Sequence, residues 1–213
     1  MHIPDGLLPA QVWATGYAAT VPVAWYSLRR IRKAGDPREH IPKASLLTAA
    51  FFVVSWIHIP VPPTSVHLVL NGLLGAILGF YAFPAILIGL FFQAVMFQHG
   101  GLTTLGVNAI IMGVPALLAH YVFRLRNFKG EASRLKTGIF GFIAGFFALA
   151  ASVAIFVPLL IFFIPSGFDV ATERAAVFAL ALAHVPLMFI EGVFTAAVAM
   201  FLQRVRPGLL VAV

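Results

Sequence analysis

The sequence predicts an all-α integral membrane protein, a bundle of about seven transmembrane helices with its N-terminus outside and its C-terminus in the cytoplasm. Three observations predict it. Of 213 residues, 61% are hydrophobic and only 10% charged, with a mean hydropathy of +0.99, far from the balance of a water-soluble domain. Apolar stretches recur at about the 20-residue length that a helix needs to cross the hydrocarbon. The lysines and arginines gather in clusters that a seven-span chain places on one side.

The first span reads as Leu7–Leu28, an apolar run that Pro22 interrupts without ending; proline kinks a membrane helix more often than it stops one. The second reads as Lys43–Ile59 and the third as Val66–Phe83. The fourth, Pro84–Gln98, is short. The fifth, Thr104–Phe123, carries Pro115. The sixth, Thr137–Ile164, carries Pro158 and is long enough to tilt or to leave the lipid at one end. The seventh, Arg174–Leu202, carries Pro186.

Orientation follows from the basic residues. Arg29, Arg30, Arg32, Lys33, Arg38 and Lys43 follow span one; Arg124, Arg126, Lys129, Arg134 and Lys136 follow span five; Arg204 and Arg206 close the chain. Seven spans put all three groups together and leave Arg174 alone on the other side, so the positive-inside rule places the N-terminus outside. Topology accounts for the high pI without nucleic acid. The absence of cysteine excludes disulfides, thiolate metal sites and thiol catalysis. The opening residues carry no basic n-region and no cleavage site follows span one, so no signal peptide is expected. Met1 is expected to stay, because His2 is too bulky for its usual removal.

That terminus is chemically sharp. The Met1 amine, the His2 amide and the His2 imidazole are three nitrogens that close five- and six-membered chelate rings around one ion. An amide loses its proton only to a strongly polarising late transition metal, and planar nitrogen sites suit Ni(II) or Cu(II). His67 falls at the outer end of span three, on the same side, where its imidazole could complete a four-nitrogen plane. Asn71, one turn on, is placed to orient it. Gly72, Gly75 and Gly79 mark a face that another segment can approach closely. His58 and His99 also fall on the outer side and could meet an arriving ion first.

These features resemble the CbiM/NikM family, the substrate-binding membrane subunits of energy-coupling factor (ECF) transporters for cobalt and nickel. The resemblance rests on four stretches: Met1-His2-Ile3-Pro4-Asp5-Gly6-Leu7-Leu8-Pro9; Thr64-Ser65-Val66-His67; Gln98-His99-Gly100-Gly101-Leu102-Thr103-Thr104-Leu105-Gly106-Val107-Asn108; and Pro186 through Ile190-Glu191-Gly192. It covers nearly the whole chain. It implies one transmembrane metal-binding domain over residues 1–213, with segment 1–6 folded back as the chelating arm. The metal would be held by Met1, His2 and His67. Ser65, Asn71, His99, Asn108 and Glu191 are the candidates for supporting the site or lining a path to it. The bound Co(II) or Ni(II) is substrate and no catalytic cofactor is expected. The resemblance further implies a transmembrane coupling (T) subunit, two ATPase subunits and, in some systems, a small auxiliary membrane subunit. Inward passage would serve cobalamin or metalloenzyme synthesis. No G-x-x-x-x-G-K-[ST] occurs, so ATP hydrolysis belongs to those partners. Ala10, Ala14 and Ala18 form a small-residue ridge that could dock a helix, from within the chain or from a partner.

His184, Glu191 and Thr195 share one face of span seven near mid-membrane. Ionisable groups there are costly and face a bundle interior. Glu191 reads either as a brace for the bundle and its N-terminal arm or as a step on a metal path. The brace is preferred, since a carboxylate would retain a cation. Gln93 and Asn108 read as interhelical hydrogen-bonding groups, and His40 and His120 as incidental groups towards the cytoplasm. Other classes fare worse. An intramembrane metal- or haem-dependent oxidoreductase lacks a histidine pair at matched depth, Ser166-Gly167 lacks the surroundings of a nucleophile, and a scaffold needs no nitrogen cluster.

Overall fold

The computed structural model describes residues 2–61, 64–128, 130–164 and 169–210, and for residues 58–61, 64 and 65 the backbone path alone. Expectations that rest on Met1, on the side chains of His58 and Ser65, and on Ser166-Gly167 lie outside the described residues.

Seven α-helices occur among the described residues: α1 (Ala10–Ala34), α2 (Ile41–Val54), α3 (Asn71–Leu78), α4 (Ala82–Phe97), α5 (Leu105–Arg124), α6 (Arg134–Phe162) and α7 (Val170–Val205). Strands β1 (His58–Val61) and β2 (Thr64–His67) pair antiparallel, with His58 opposite His67. Pro22, Pro115, Pro158 and Pro186 all lie inside helices that continue past them. Ser133 caps α6 by accepting from the Lys136 amide, and Asp169 caps α7 by accepting from the Thr172 amide. These bonds satisfy amides that a helix start leaves open.

Four helical stretches are long and apolar enough to cross a membrane: Asn71–Phe97, Leu105–Asn127, Arg134–Phe162 and Val170–Val205. The first is not straight. Asn71 lies against Met112 and Gly75 against Ala116, so α3 runs with α5. Phe83 then lies back against Gly113, so α4 runs against it. The reversal occurs at Gly79, whose φ of 61° and ψ of −127° belong to no helix and suit a residue without Cβ.

Predicted span three therefore needs correcting. The chain is a strand to His67 and helical only from Asn71, and the eight residues of α3 rise about 12 Å against a hydrocarbon of about 30 Å. The cause is non-local. The amides of Val69 and Leu70 point at the Glu191 carboxylate of α7, and Leu70 takes the left-handed conformation with φ 55°. Neither residue can then continue α3 backwards. Every residue of α3 is buried. Gly72 abuts the backbone of Ala144 and Gly145 in α6, and a Cβ there would sit 2.6 Å from the Gly145 Cα.

The basic clusters share one end of the bundle. Lys43 donates to the Ile77 and Leu209 carbonyls at 3.2 and 3.1 Å, and Arg126 donates to those of Phe123 and Leu210 at 3.2 and 2.8 Å. Tyr81, in the α3–α4 turn, donates to the Pro37 carbonyl at 3.1 Å. The opposite end holds residues 2–5, His67 and the loop 98–104. The lateral faces of α6 and α7 expose Phe147, Phe162, Phe178, Leu182 and Phe201, an apolar surface of the kind lipid covers.

Candidate metal centre

Residues 2–5 cross the mouth of the bundle and are bonded there at both backbone and side chain. The Asn108 amide grips Ile3 as a neighbouring strand would: its Oδ1 accepts from the Ile3 N–H at 2.9 Å and its Nδ2 donates to the Ile3 carbonyl at 3.0 Å. The Thr104 hydroxyl adds a bond to the same carbonyl at 2.6 Å. Ile3 is fully buried. Two residues on, the Asp5 carboxylate accepts from the Thr103 hydroxyl and amide at 2.5 and 2.9 Å and from the Leu102 amide at 3.2 Å. The Thr103 hydroxyl, above all, holds the Asp5 pKa below the usual carboxylate range. Gly101 leaves room for that carboxylate, because a Cβ there would collide with Asp5.

His67 enters from the other direction. Its Nδ1 donates to the Leu68 carbonyl at 2.9 Å, which leaves Nε2 as the nitrogen with a lone pair. The residues behind it are tied to α7: Glu191 accepts from Val69 and, at 2.9 Å, from Leu70. That carboxylate also sits at the N-terminus of α3, where unpaired amides and the helix dipole favour negative charge. Glu191→Ala strands two buried amides at roughly 1–3 kcal/mol each, whereas Glu191→Gln keeps an acceptor. Thermal unfolding should show a clear loss for Ala and a small one for Gln. Equal losses would mean that those bonds do not brace the loop.

Three imidazoles meet where these segments converge. One nitrogen each from His2, His67 and His99 lie within 4.8 Å of one another. The rings of His2 and His67 stack at 5.2 Å, and His99 stands edge-on to His2 at 4.1 Å. Gln98 takes the left-handed conformation that ends α4 and turns the chain into His99. Burial, followed by the positive charge of neighbouring groups including His99 and His67, holds the His2 pKa well below the ordinary histidine value. Burial thus favours the neutral ring, the form that can offer a lone pair. Two nitrogens on one ion at about 2.0–2.1 Å stand no more than about 4.2 Å apart. A trio at the 4.8 Å limit would therefore have to draw in to hold one ion.

The family described as the cobalt uptake substrate-specific transmembrane region, CbiM, matches residues 2–209. The chain belongs to the CbiM family. It is a multi-pass protein of the inner (plasma) membrane, a substrate-specific component of cobalt or nickel transport. Among CbiM relatives, a chain of Haemophilus influenzae named for metal transport is 35% identical over 97% of this chain and 95% of its own. The cobalt transport protein CbiM of Sorangium cellulosum is 30% identical over 99% and 94%. The fused nickel transport protein NikMN of Rhodobacter capsulatus is 32% identical over 99% of this chain, which spans 64% of that longer protein. A crystal structure of a transition metal transporter superposes with a TM-score of 0.75 at 27% identity, covering 96% of this chain and 93% of the other.

The other residues singled out in this CbiM chain fall as follows. Asn71 does not face His67; its amide nitrogen reaches the Ser152 hydroxyl at 2.8 Å and the Met112 carbonyl at 3.3 Å, so it joins α3 to α5 and α6. His184 is buried and bonds the Leu180 carbonyl of its own helix at 2.7 Å. His120 is buried near the basic end against Phe80. Ala10, Ala14 and Ala18 stay exposed, while Gly16 and Thr20 on the other side of α1 pack on α5. Asp5, Thr103 and Thr104 were missed as site residues. The signal was there, since they sit in the two longest motifs, whose joint presence is explained by their contact.

Proposed function

We propose that this chain is the substrate-specific subunit of an ECF-type ABC transporter, capturing external Co(II) or Ni(II) on four nitrogens: the Met1 amine, the His2 amide, His2 Nδ1 and His67 Nε2. The observation that carries the reading is the convergence of His2 and His67, 65 positions apart, with a lone-pair nitrogen on each ring. Nitrogen donors disfavour Mg(II) and Ca(II), which take oxygen. Planarity leans to nickel, while the family's description is of cobalt uptake. Metal analysis of purified protein after competition between the two ions decides between them, and recovery of neither would defeat the reading.

In this proposal residues 1–213 form one transmembrane domain, and segment 1–6 is the chelating arm. A T subunit and two ATPase subunits supply the power stroke, with a small auxiliary membrane subunit where one is needed. An oxidoreductase using haem or metal is not favoured, since the relatives are named for transport. The basic end faces the cytoplasm by the positive-inside rule. The chain has no cysteine, so single cysteines report cleanly. An impermeant thiol reagent on intact cells should label Arg174→Cys, exposed near the start of α7, and spare Glu131→Cys, exposed at the basic end. The reverse pattern would put the histidines on the wrong side for capture.

A further inference from the structure

His2 can complete a six-membered ring with its own amide only through Nδ1, because Nε2 points away from its backbone. Nδ1 must therefore be the nitrogen without hydrogen, and neutral imidazole has no fixed choice between its two nitrogens. A chain of buried hydrogen bonds makes that choice. The Ser55 oxygen lies 2.7 Å from the Phe52 carbonyl. A carbonyl only accepts, so the Ser55 hydroxyl donates to it. The Gln93 amide lies 2.7 Å from the same Ser55 oxygen. Since that hydroxyl proton is committed, Gln93 presents its NH₂ group to Ser55. Its carbonyl oxygen is then turned to His2 Nε2, at 2.9 Å. An amide oxygen only accepts, so Nε2 carries the hydrogen. Nδ1, which has no hydrogen-bond partner and is shielded from solvent, is left with the lone pair.

The direction of each bond is forced by the one before it. Gln93 is fully buried and Ser55 nearly so, so water does not compete. Among the described residues, the relay runs from the C-terminal turn of α2 through α4 to the arm. A reversed amide would present N–H to Nε2, make it the acceptor and put the hydrogen on Nδ1, where it would block the chelate.

We propose that Gln93 is a positioning residue for the metal site, and that Ser55 sets its polarity, so that together they select the His2 tautomer that can chelate. This rests on the four-nitrogen reading above and deepens it. Gln93 touches no ion; it acts through His2. Hydrogen-bond partners of metal-bound histidines commonly change affinity by about 10–100-fold.

The test titrates Ni(II) and Co(II) into the purified full-length protein and its variants. Gln93→Leu, which keeps the volume but not the acceptor, should lose about tenfold or more in affinity. Gln93→Glu, which can still accept from Nε2–H, should stay within about threefold of the parent. Ser55→Ala, which frees the Gln93 amide to turn, should lose affinity although it does not touch His2. Nitrogen-15 NMR of the metal-free protein, with His2 assigned by its loss in His2→Gln, reads the tautomer directly. The expected signature is a pyridine-type Nδ1 and a pyrrole-type Nε2 in the parent, mixed in Ser55→Ala. A structural role alone would not move that signature. A hydrogen on Nδ1 in the parent, or full affinity in Gln93→Leu, would overturn the relay. His67→Ala in the same series separates the two ideas: its loss of affinity beside an unaffected Gln93→Leu sinks only the relay, while its full affinity sinks the four-nitrogen site.

Discussion

His67→Ala should weaken Ni(II) or Co(II) binding at least tenfold, about 1.4 kcal/mol or more, and leave the bundle folded. The argument is geometric. His67 ends a strand, not a helix, and its ring is aimed by a bond from Nδ1 to the Leu68 carbonyl. The two residues that follow are pinned to Glu191. The Glu191 bonds to Val69 and Leu70 do not use the imidazole, so removing the ring deletes one nitrogen without releasing the loop from α7. The backbone that positions α3 stays as it was. His40→Ala is the matched control, because His40 packs on Tyr81 at the other end of the bundle. Isothermal titration of both variants, with unfolding followed in parallel, reads the effect. An unchanged titration for His67→Ala would remove the proposed site.

The legible parts of this molecule are those that neighbouring residues decide. Helices α5, α6 and α7 begin and end within a few residues of the predicted spans, because each is a single apolar run bounded by polar or basic residues. Span three was misread for the opposite reason. Val66 to Phe83 is apolar but for His67 and Asn71, and Glu191, more than 120 residues later, takes the two amides just before Asn71. The reversal at Gly79 is equally silent, since a glycine in an apolar run reads as a packing position. Gly72 and Gly75 do serve that way, against α6 and α5.

The site divides in the same manner. His2 stood out because its chelate chemistry is local to the first residues, and His67 because of its position beside a motif. Gln93 read as a group joining helices, which it is, through Ser55. Its second bond, to His2, needs residues 91 positions apart to meet. The His99 ring comes within 4.1 Å of His2 only because Gln98 turns the chain there. Sequence reading named the candidate donors. The bonds that decide which nitrogen donates required the fold.

A single residue added before Met1 should abolish uptake and lower metal affinity by roughly a hundredfold or more, the cost of losing a chelate ring. The arm has no freedom to absorb it. Both peptide groups of Ile3 are bonded to Asn108, and Asp5 is bonded to Thr103 and Leu102. The position of His2 is fixed by that register, and the proposed amine lies one residue before it. An extended chain has two choices. It can keep the register, which moves the amine about 3.5 Å along the chain and leaves an ordinary amide in its place. Or it can slide by one residue, which sets the wrong side chains against Asn108 and Thr103 and carries His2 away from Gln93. Either way the ring between amine and amide fails to form beside His67. A formyl or acetyl group should act like the added residue, since it removes the amine lone pair without changing the register. A tag after Val213 should be tolerated, because the tail is held at the basic end through the Leu209 and Leu210 carbonyls. Uptake assays in cells, with membrane insertion checked by immunoblot and affinity measured on the purified variants, distinguish these cases. Full-affinity binding by the extended chain would take the terminus out of the coordination sphere and leave the histidine trio as the whole site.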